Sequence, residues 1–252
     1  MTGQQALLAY VLRLADNALI LGQRMLENVA ALPELEEELA NANFALDYLG
    51  QARMLYSYAG ELEGKNHDED YFAFQRDENE FRNLLLLEQP NGHFGDALVR
   101  QFLFESFYYL LLEKLTACAD KPLADIAARA VKEVRYHRKH SGQWIVRLGD
   151  GTELSHERVQ TALQDAWQYT GEMFAADEVD DVVQREFQGP DLVVIHAQWR
   201  KDVSSTLTDA TLSVPDDQWM MDGGKDGRHS EHFGFLLAEM QYLQRSHPGA
   251  SW

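Results

Sequence analysis

The sequence predicts an all-α fold, a long four-helix bundle with additional helices toward the C-terminus. Three observations point there. Apolar residues recur at intervals of three and four along most of the chain, the alternation of a strand is almost absent, and 252 residues with 45% hydrophobic and 25% charged supply a sizeable core. With no composition step or Ser/Gly linker, the length resolves to a single domain over 1–252, with a core bundle over about 4–148 and accessory helices over about 155–245.

The first helix carries Leu7, Val11, Leu14, Ala18, Leu21, Met25 and Val29 on one face. Pro33 breaks it, and Glu34, Glu36, Glu37 and Glu38 suit the positive end of a second helix, whose expected buried face is Leu35, Leu39, Ala42, Leu46, Leu49 and Tyr56. Gly60 to Glu80 is rich in Asp and Glu and reads as a solvated connection, the long crossover of a ferritin-like bundle. After the turn signature Glu88-Gln89-Pro90-Asn91-Gly92, a third helix runs through Leu98, Phe102, Glu105, Tyr109 and Leu112, apolar nearly all round and therefore buried. Pro122 opens a fourth, with Ile126, Ala130, Val134, His137, Ser141, Trp144 and Leu148 on its face and Gly149-Asp150-Gly151 at its close. Further helices are expected over 155–177, 190–212 and 231–245, with loops at Gln184 to Gly189 and Val214 to Arg228.

A net charge of −19 repels phosphate backbones and anionic lipid, which argues against nucleic-acid and membrane partners. One cysteine, Cys118, cannot form an intrachain disulfide, so a reducing compartment, the cytoplasm, is expected, and the thiol reads as a small packed side chain. No basic leader precedes the first helix, and no run reaches the roughly 18 consecutive apolar residues of a membrane span; even Phe102 to Leu112 is broken by Glu105 and Ser106.

A long-helix bundle can hold two metal ions when two helices each give one Glu and two others each give Glu-x-x-His, because i and i+3 project side by side. The first helix offers Asn17, an amide. The second offers Asp47 with Gly50 at i+3, and the third Glu105. The fourth offers Glu133 with Tyr136 at i+3 and His137 at i+4. Both i+3 histidines are missing and one carboxylate is an amide, so the set reads as a relic in which Asp47, Glu105 and Glu133 are satisfied by Arg53, Lys132, Arg135 or Tyr136. The rival is a free-standing di-iron carboxylate oxidase with a distorted site of Asp47, Glu105, Glu133 and His137.

His229-Ser230-Glu231-His232 is not a zinc motif, and the preceding Gly223-Gly224-Lys225-Asp226-Gly227-Arg228 lacks phosphate-loop spacing. The segment reads as a capped helix start. Its functional rival is a partner-docking loop using Lys225, Arg228, His229 and His232. Arg129, Lys132, Arg135, Arg138, Lys139 and His140 form the one basic concentration in an acidic chain. It reads as a solvated flank or, alternatively, as a site for an acidic partner or a polyanionic ligand. Phe102, Phe104, Phe107, Tyr108 and Tyr109 read as core.

Over essentially its whole length the chain resembles the C-type subunits of bacterial ring-1,2-phenylacetyl-CoA epoxidases, the phenylacetate-degradation monooxygenases. The stretches that carry the resemblance are Gly50-Gln51-Ala52-Arg53, Glu88 to Gly92, Lys132-Glu133-Val134-Arg135-Tyr136-His137, Gly223 to His232, and Ala238-Glu239-Met240-Gln241-Tyr242-Leu243-Gln244-Arg245. The resemblance implies a non-catalytic structural subunit with no cofactor of its own. It would pair with a homologous A subunit holding the di-iron centre, alongside a small B subunit and a reductase carrying FAD and an iron–sulfur cluster. It also implies phenylacetyl-CoA at or near the subunit interface, for which Glu80, Phe81, Arg82, Asn83, Asp180, Asp181 and Val182 are the candidate contacts. An acyl-CoA binding module acting without a partner is a third class of function.

Overall fold

The computed structural model describes residues 1–217 and 219–250, so Gln218 of the expected 214–228 loop lies outside the described residues. Among them there are α-helices and short 3₁₀ turns and no strand. The chain divides into two compact units. One is Met1–Pro90 with Gly223–Trp252 and the other is Asn91–Asp222.

The first unit is built on a hairpin of α1 (Gly3–Glu27) and α2 (Leu35–Glu63). Thr2 caps α1 through a reciprocal pair with Gln5. The hairpin is antiparallel, because Asn41 Nδ2 donates to the Met25 carbonyl at 2.6 Å near one end and Gln4 Nε2 to the Leu62 carbonyl at 3.2 Å at the other. Short α3 (Glu69–Phe74) and the C-terminal α9 (Glu231–Ser246) complete the unit. Gln241 on α9 donates to the carbonyls of Ala73 and Arg76 at 3.1 and 3.0 Å.

The buried face of α2 differs from the expected one. Leu35, Leu39 and Leu46 are 66%, 58% and 62% exposed, whereas Phe44, Ala45, Tyr48, Ala52 and Leu55 are buried along with the expected Tyr56. The aromatic face wins because each ring removes more apolar area from water than a leucine, while the interspersed alanines let the helices close. Gly22 of α1 sits at that closest approach, where a Cβ would come within 3.3 Å of the Ala45 carbonyl oxygen.

The segment 60–80 is not simply solvated. Asp68 caps α3 by accepting from Tyr71 N at 2.9 Å, Phe72 and Ala73 are buried, and so is Arg76. The short apolar run Tyr71-Phe72-Ala73-Phe74 packs inward, with Phe72 stacked 5.7 Å from Tyr56, while the acidic residues around it face outward.

The second unit pairs α4 (Phe94–Leu115) with α5 (Lys121–Gly149), again antiparallel, since Phe94 meets Trp144 and Glu105 meets Ser141. Asp120 caps α5 with Pro122 in its first turn. The expected 155–177 helix divides into α6 (Glu153–Trp167) and a 3₁₀ turn at Gly171–Phe174. The expected 184–189 loop is largely occupied by α7 (Glu178–Phe187), which Asp177 starts by accepting from Val179 N and Asp180 N and Gln188 ends at φ +57°. Its few valine and phenylalanine positions are too short a run to show a period. Last is α8 (Leu192–Asp209), whose Trp199 indole is buried and donates to the Leu103 carbonyl at 3.0 Å.

By length and composition α1 is apolar enough to cross a membrane, although scattered polar residues keep it from forming an uninterrupted apolar run; 78% of its apolar window is buried inside the protein.

Candidate functional site

Each unit has a polar interior, described separately. In the first, Asp16 on α1 is fully buried and receives Arg76 Nη1 at 3.2 Å, the Tyr56 hydroxyl at 2.5 Å and Arg82 N at 2.8 Å, with Arg76 Nη2 closing the ion pair. Burial, and next the Asp16 charge, push the Tyr56 phenol well above its ordinary range. Burial works against the Arg76 charge, yet Asp16 and Tyr56 more than compensate and hold the guanidinium above its usual value. The guanidinium carbon also lies 4.1 Å from the Phe81 ring centroid.

A second buried carboxylate, Glu88, accepts from Ser230 N at 2.5 Å and from Asn83 Nδ2 at 3.1 Å, and lies 2.9 Å from His229 Nδ1. Arg24 donates to the Glu88 carbonyl through Nε and Nη2. The 223–230 segment can press this close because of its glycines. A Cβ on Gly224 would stand 2.1 Å from the Asn83 carbonyl oxygen and one on Gly227 2.3 Å from that of Asn79, the latter at φ +79°.

In the second unit Glu105 accepts from the Ser141 hydroxyl at 2.6 Å, with His137 buried on the same helix as Ser141. The Tyr108 hydroxyl is buried with no hydrogen-bond partner among the described residues. Burial first, and the Glu133 carboxylate second, raise its pKa.

Several of the positions set out for a dinuclear site are occupied by contacts within their own unit. Asn17 accepts from Leu84 N at 2.8 Å, so its amide oxygen is used by the backbone. Asp47 is half-buried and Gly50 exposed. Glu133 is half-buried on the same helix as Arg129, 3.6 Å from its guanidinium, and Tyr136 is 62% exposed. Of the cations expected beside these carboxylates, Arg53 lies instead on Glu69 at 3.0 Å. Among the described residues no group of three or more His, Cys, Asp or Glu is placed to hold a metal ion. An amide at Asn17, no side chain at Gly50 and an outward tyrosine at Tyr136 make a donor set that does not fit a di-iron centre.

The substrate-contact candidates fall in different units. Phe81 and Asn83 are fully buried and serve the interior, and the exposed Glu80 carboxylate accepts from Asp77 N at 2.8 Å. Arg82 directs its guanidinium to the carbonyls of Asn79 and Phe81, both at 2.6 Å, and burial lowers its pKa. Asp180, Asp181 and Val182 lie in the first turns of α7, a helix start rather than a helix end. The Asp180 carboxylate accepts from Asp177 N at 3.2 Å, and Val182 is core.

Among the docking candidates, His229 is a correction. Its side chain is fully buried against Glu88 and Phe233, so no partner reaches it. Arg228 is exposed beside Asp226, and Lys225 and His232 are half-buried.

Sequence reasoning missed Asp16, Arg76 and Glu88. The signal for the first is its place in the middle of an apolar face, one position before Asn17. Arg76 is legible only as a lone cation among Phe72, Phe74 and Phe81.

A family model described as Phenylacetic acid catabolic protein matches residues 2–252. The chain is 48% identical over 246 residues to the C subunit of the 1,2-phenylacetyl-CoA epoxidase of Escherichia coli (strain K12), covering 98% of this chain and 99% of that relative. The fold class is all-α and ferritin-like. Agreement along the whole length, through both helix hairpins and the segment after α8, is more than a shared fragment gives. This chain belongs to the family of phenylacetic acid catabolic proteins.

Proposed function

We propose that this chain is the non-catalytic structural subunit of a multicomponent di-iron monooxygenase that epoxidises the ring of phenylacetyl-CoA, pairing with and stabilising a homologous catalytic subunit that holds the iron. A small further subunit and a reductase with FAD and an iron–sulfur cluster complete the proposed assembly, and the cytoplasm is its proposed location. The similarity to the C subunit of an epoxidase supports the assembly.

The observation that carries the non-catalytic reading is the use each ligand-register position makes of its donors. Asn17 is on Leu84 N, Glu105 is on Ser141, and Gly50 and Tyr136 face outward. A carboxylate already bonded inside its own helix pair holds structure rather than metal. What such residues do here is fix the helix pairs, so that a partner meets a rigid surface.

Support for pairing comes from α2, where Leu35, Leu39 and Leu46 lie unpacked along one face, at intervals of four and seven. The proposed interface on that face brings two ferritin-like subunits together over roughly 2,000 Å² or more.

The test is iron per polypeptide after anaerobic Fe(II) loading, for the chain alone and for its complex with the catalytic subunit. Near-zero iron on the chain alone, with iron and epoxidation restored in the complex, is the expected result. About two irons per chain alone, the count of a dinuclear bundle site, overturns the non-catalytic reading. A chain that stays monomeric beside that subunit overturns the pairing.

A further inference from the structure

Along the second unit runs a groove of about 530 Å³, floored by α5 and walled by α4 and α8. Its α5 residues extend from Arg135 to Val146, about 16 Å at the rise of an α-helix. The chemistry changes along that length.

At one end Arg135, Arg138 and Lys139 converge. The Tyr109 ring lies beneath both guanidiniums, with its centroid 5.7 Å from the Arg135 carbon and 5.1 Å from that of Arg138. Asp202 fixes Arg138 from the far side at 2.9 Å. Arg135 and Lys139 have no carboxylate partner among the described residues, in a chain that carries a net −19. Two ordered guanidiniums and an exposed ammonium suit two phosphate groups, which guanidiniums bind bidentately.

At the other end the buried Phe102 ring lies directly beneath Gly142, where a Cβ would stand 3.7 Å from it, so the bare glycine backbone forms the floor. Val146 continues this floor, and Gln143, Thr206 and Asp209 stand at its rim as hydrogen-bonding groups. A flat floor of glycine backbone and valine side chain with a polar rim suits a purine and its ribose. The Asp209 carboxylate suits a hydroxyl or an exocyclic amine and repels a further phosphate.

We infer that this groove binds a ribonucleotide bearing at least two phosphates, with the phosphates at Arg135, Arg138 and Lys139 and the base over Gly142 and Val146. Its volume is that of a small-molecule site. An acidic protein surface would more naturally use the exposed Lys132 and Arg129 flank of the same helix, which lies outside the groove. The net negative charge of the chain repels anions at long range, so binding here requires the local arrangement. The inference rests on the groove alone and does not require the role proposed above, although a coenzyme A thioester is common to both. The nucleotide comes from one of two sources, a free nucleotide or the nucleotide end of a coenzyme A thioester.

The experiment is titration calorimetry on the full chain at low ionic strength with ADP, adenosine 3′,5′-bisphosphate, coenzyme A and pyrophosphate. The nucleotides are expected to bind with dissociation constants below about 1 mM and at least about tenfold more tightly than pyrophosphate. Arg135→Gln and Lys139→Gln are each expected to weaken binding about tenfold. Gly142→Leu fills the groove without changing charge and is expected to abolish binding, whereas Lys132→Gln leaves it unchanged. Circular dichroism confirms that each variant is folded, and the exposed Lys139 provides a variant with little risk to the fold. Coenzyme A binding more tightly than ADP identifies the thioester as source, and the reverse identifies the free nucleotide; both support the site. Absence of binding by all four probes, pyrophosphate binding as tightly as the nucleotides, or a folded Gly142→Leu chain that binds normally each overturns it. So does a chain that binds none of them but loses association with a purified protein partner on Arg135→Gln, which makes the groove a docking patch.

Discussion

Asp16 and Arg76 form a buried ion pair across sixty residues of sequence, joined by the Tyr56 hydroxyl and by the backbone N–H of Arg82. The pair links the first helix to the segment after α3. Removing one partner leaves the other charged in the interior. Asp16→Leu and Arg76→Met are therefore each expected to cost about 3–5 kcal/mol, while the double change costs less than their sum. Urea denaturation of the four proteins in the cycle measures this, and strictly additive losses would count against a coupled pair.

Two of the buried tyrosines bear on the alkaline stability of the fold. Burial and Asp16 raise Tyr56, and burial and Glu133 raise Tyr108, so both keep their protons in the folded chain where the unfolded chain releases them near pH 10. Their contribution is fully present below about pH 10 and is lost as pH rises toward the folded values, at about 1.4 kcal/mol per pH unit for each tyrosine. Tyr108→Phe should remove its own share, about 1.4 kcal/mol per pH unit, from that slope. Because the Tyr108 hydroxyl has no partner among the described residues, the same change should leave neutral-pH stability unchanged or raise it by up to about 1 kcal/mol. Urea midpoints between about pH 8 and pH 11 test both expectations. A loss at neutral pH would show that the hydroxyl is bonded.

Glu88 holds the Ser230 N–H, Asn83 and His229 together. Glu88→Ala is expected to cost about 3 kcal/mol and to do so locally, with faster amide exchange over residues 223–233 than over α4 and α5. Uniform acceleration across both units would instead make Glu88 part of a global core.

On α2, Leu39→Glu and Leu46→Glu alter side chains that are largely exposed in this chain. Each should change its stability by less than about 0.5 kcal/mol. Each should also weaken association with the catalytic subunit at least about tenfold by sedimentation. Unchanged association would move the proposed interface off this face.

The helices of both hairpins are legible in the sequence because long amphipathic segments repeat their signal many times, as α1 and α5 do. The face of α2 is not. Leucines at three- and four-residue spacing mark an apolar face but do not say whether it is covered from within the chain or from outside it. Leu35, Leu39 and Leu46 are exposed while Tyr48 and Phe44 are buried. Helix α7 is ten residues long and starts on acidic residues, so its opening turn is easily mistaken for the end of a longer helix. At the candidate site, the missing donors Asn17, Gly50 and Tyr136 are legible from spacing alone. Arg76 and His229 are not, because whether a polar side chain faces inward depends on a carboxylate sixty or more positions away.

The first unit is sewn from two segments far apart in the sequence, and this bears on its synthesis. Residues 91–222 are contiguous, but residues 1–90 are completed only by 223–252. Until α9 emerges, Phe81 lacks the Phe233 ring that lies 5.5 Å from it, and the carbonyls of Ala73 and Arg76 lack Gln241. A ribosome that stops early therefore releases a chain with an unfinished apolar interior, a substrate for chaperones and proteases. Helix α9 thus closes an interior begun before residue 91.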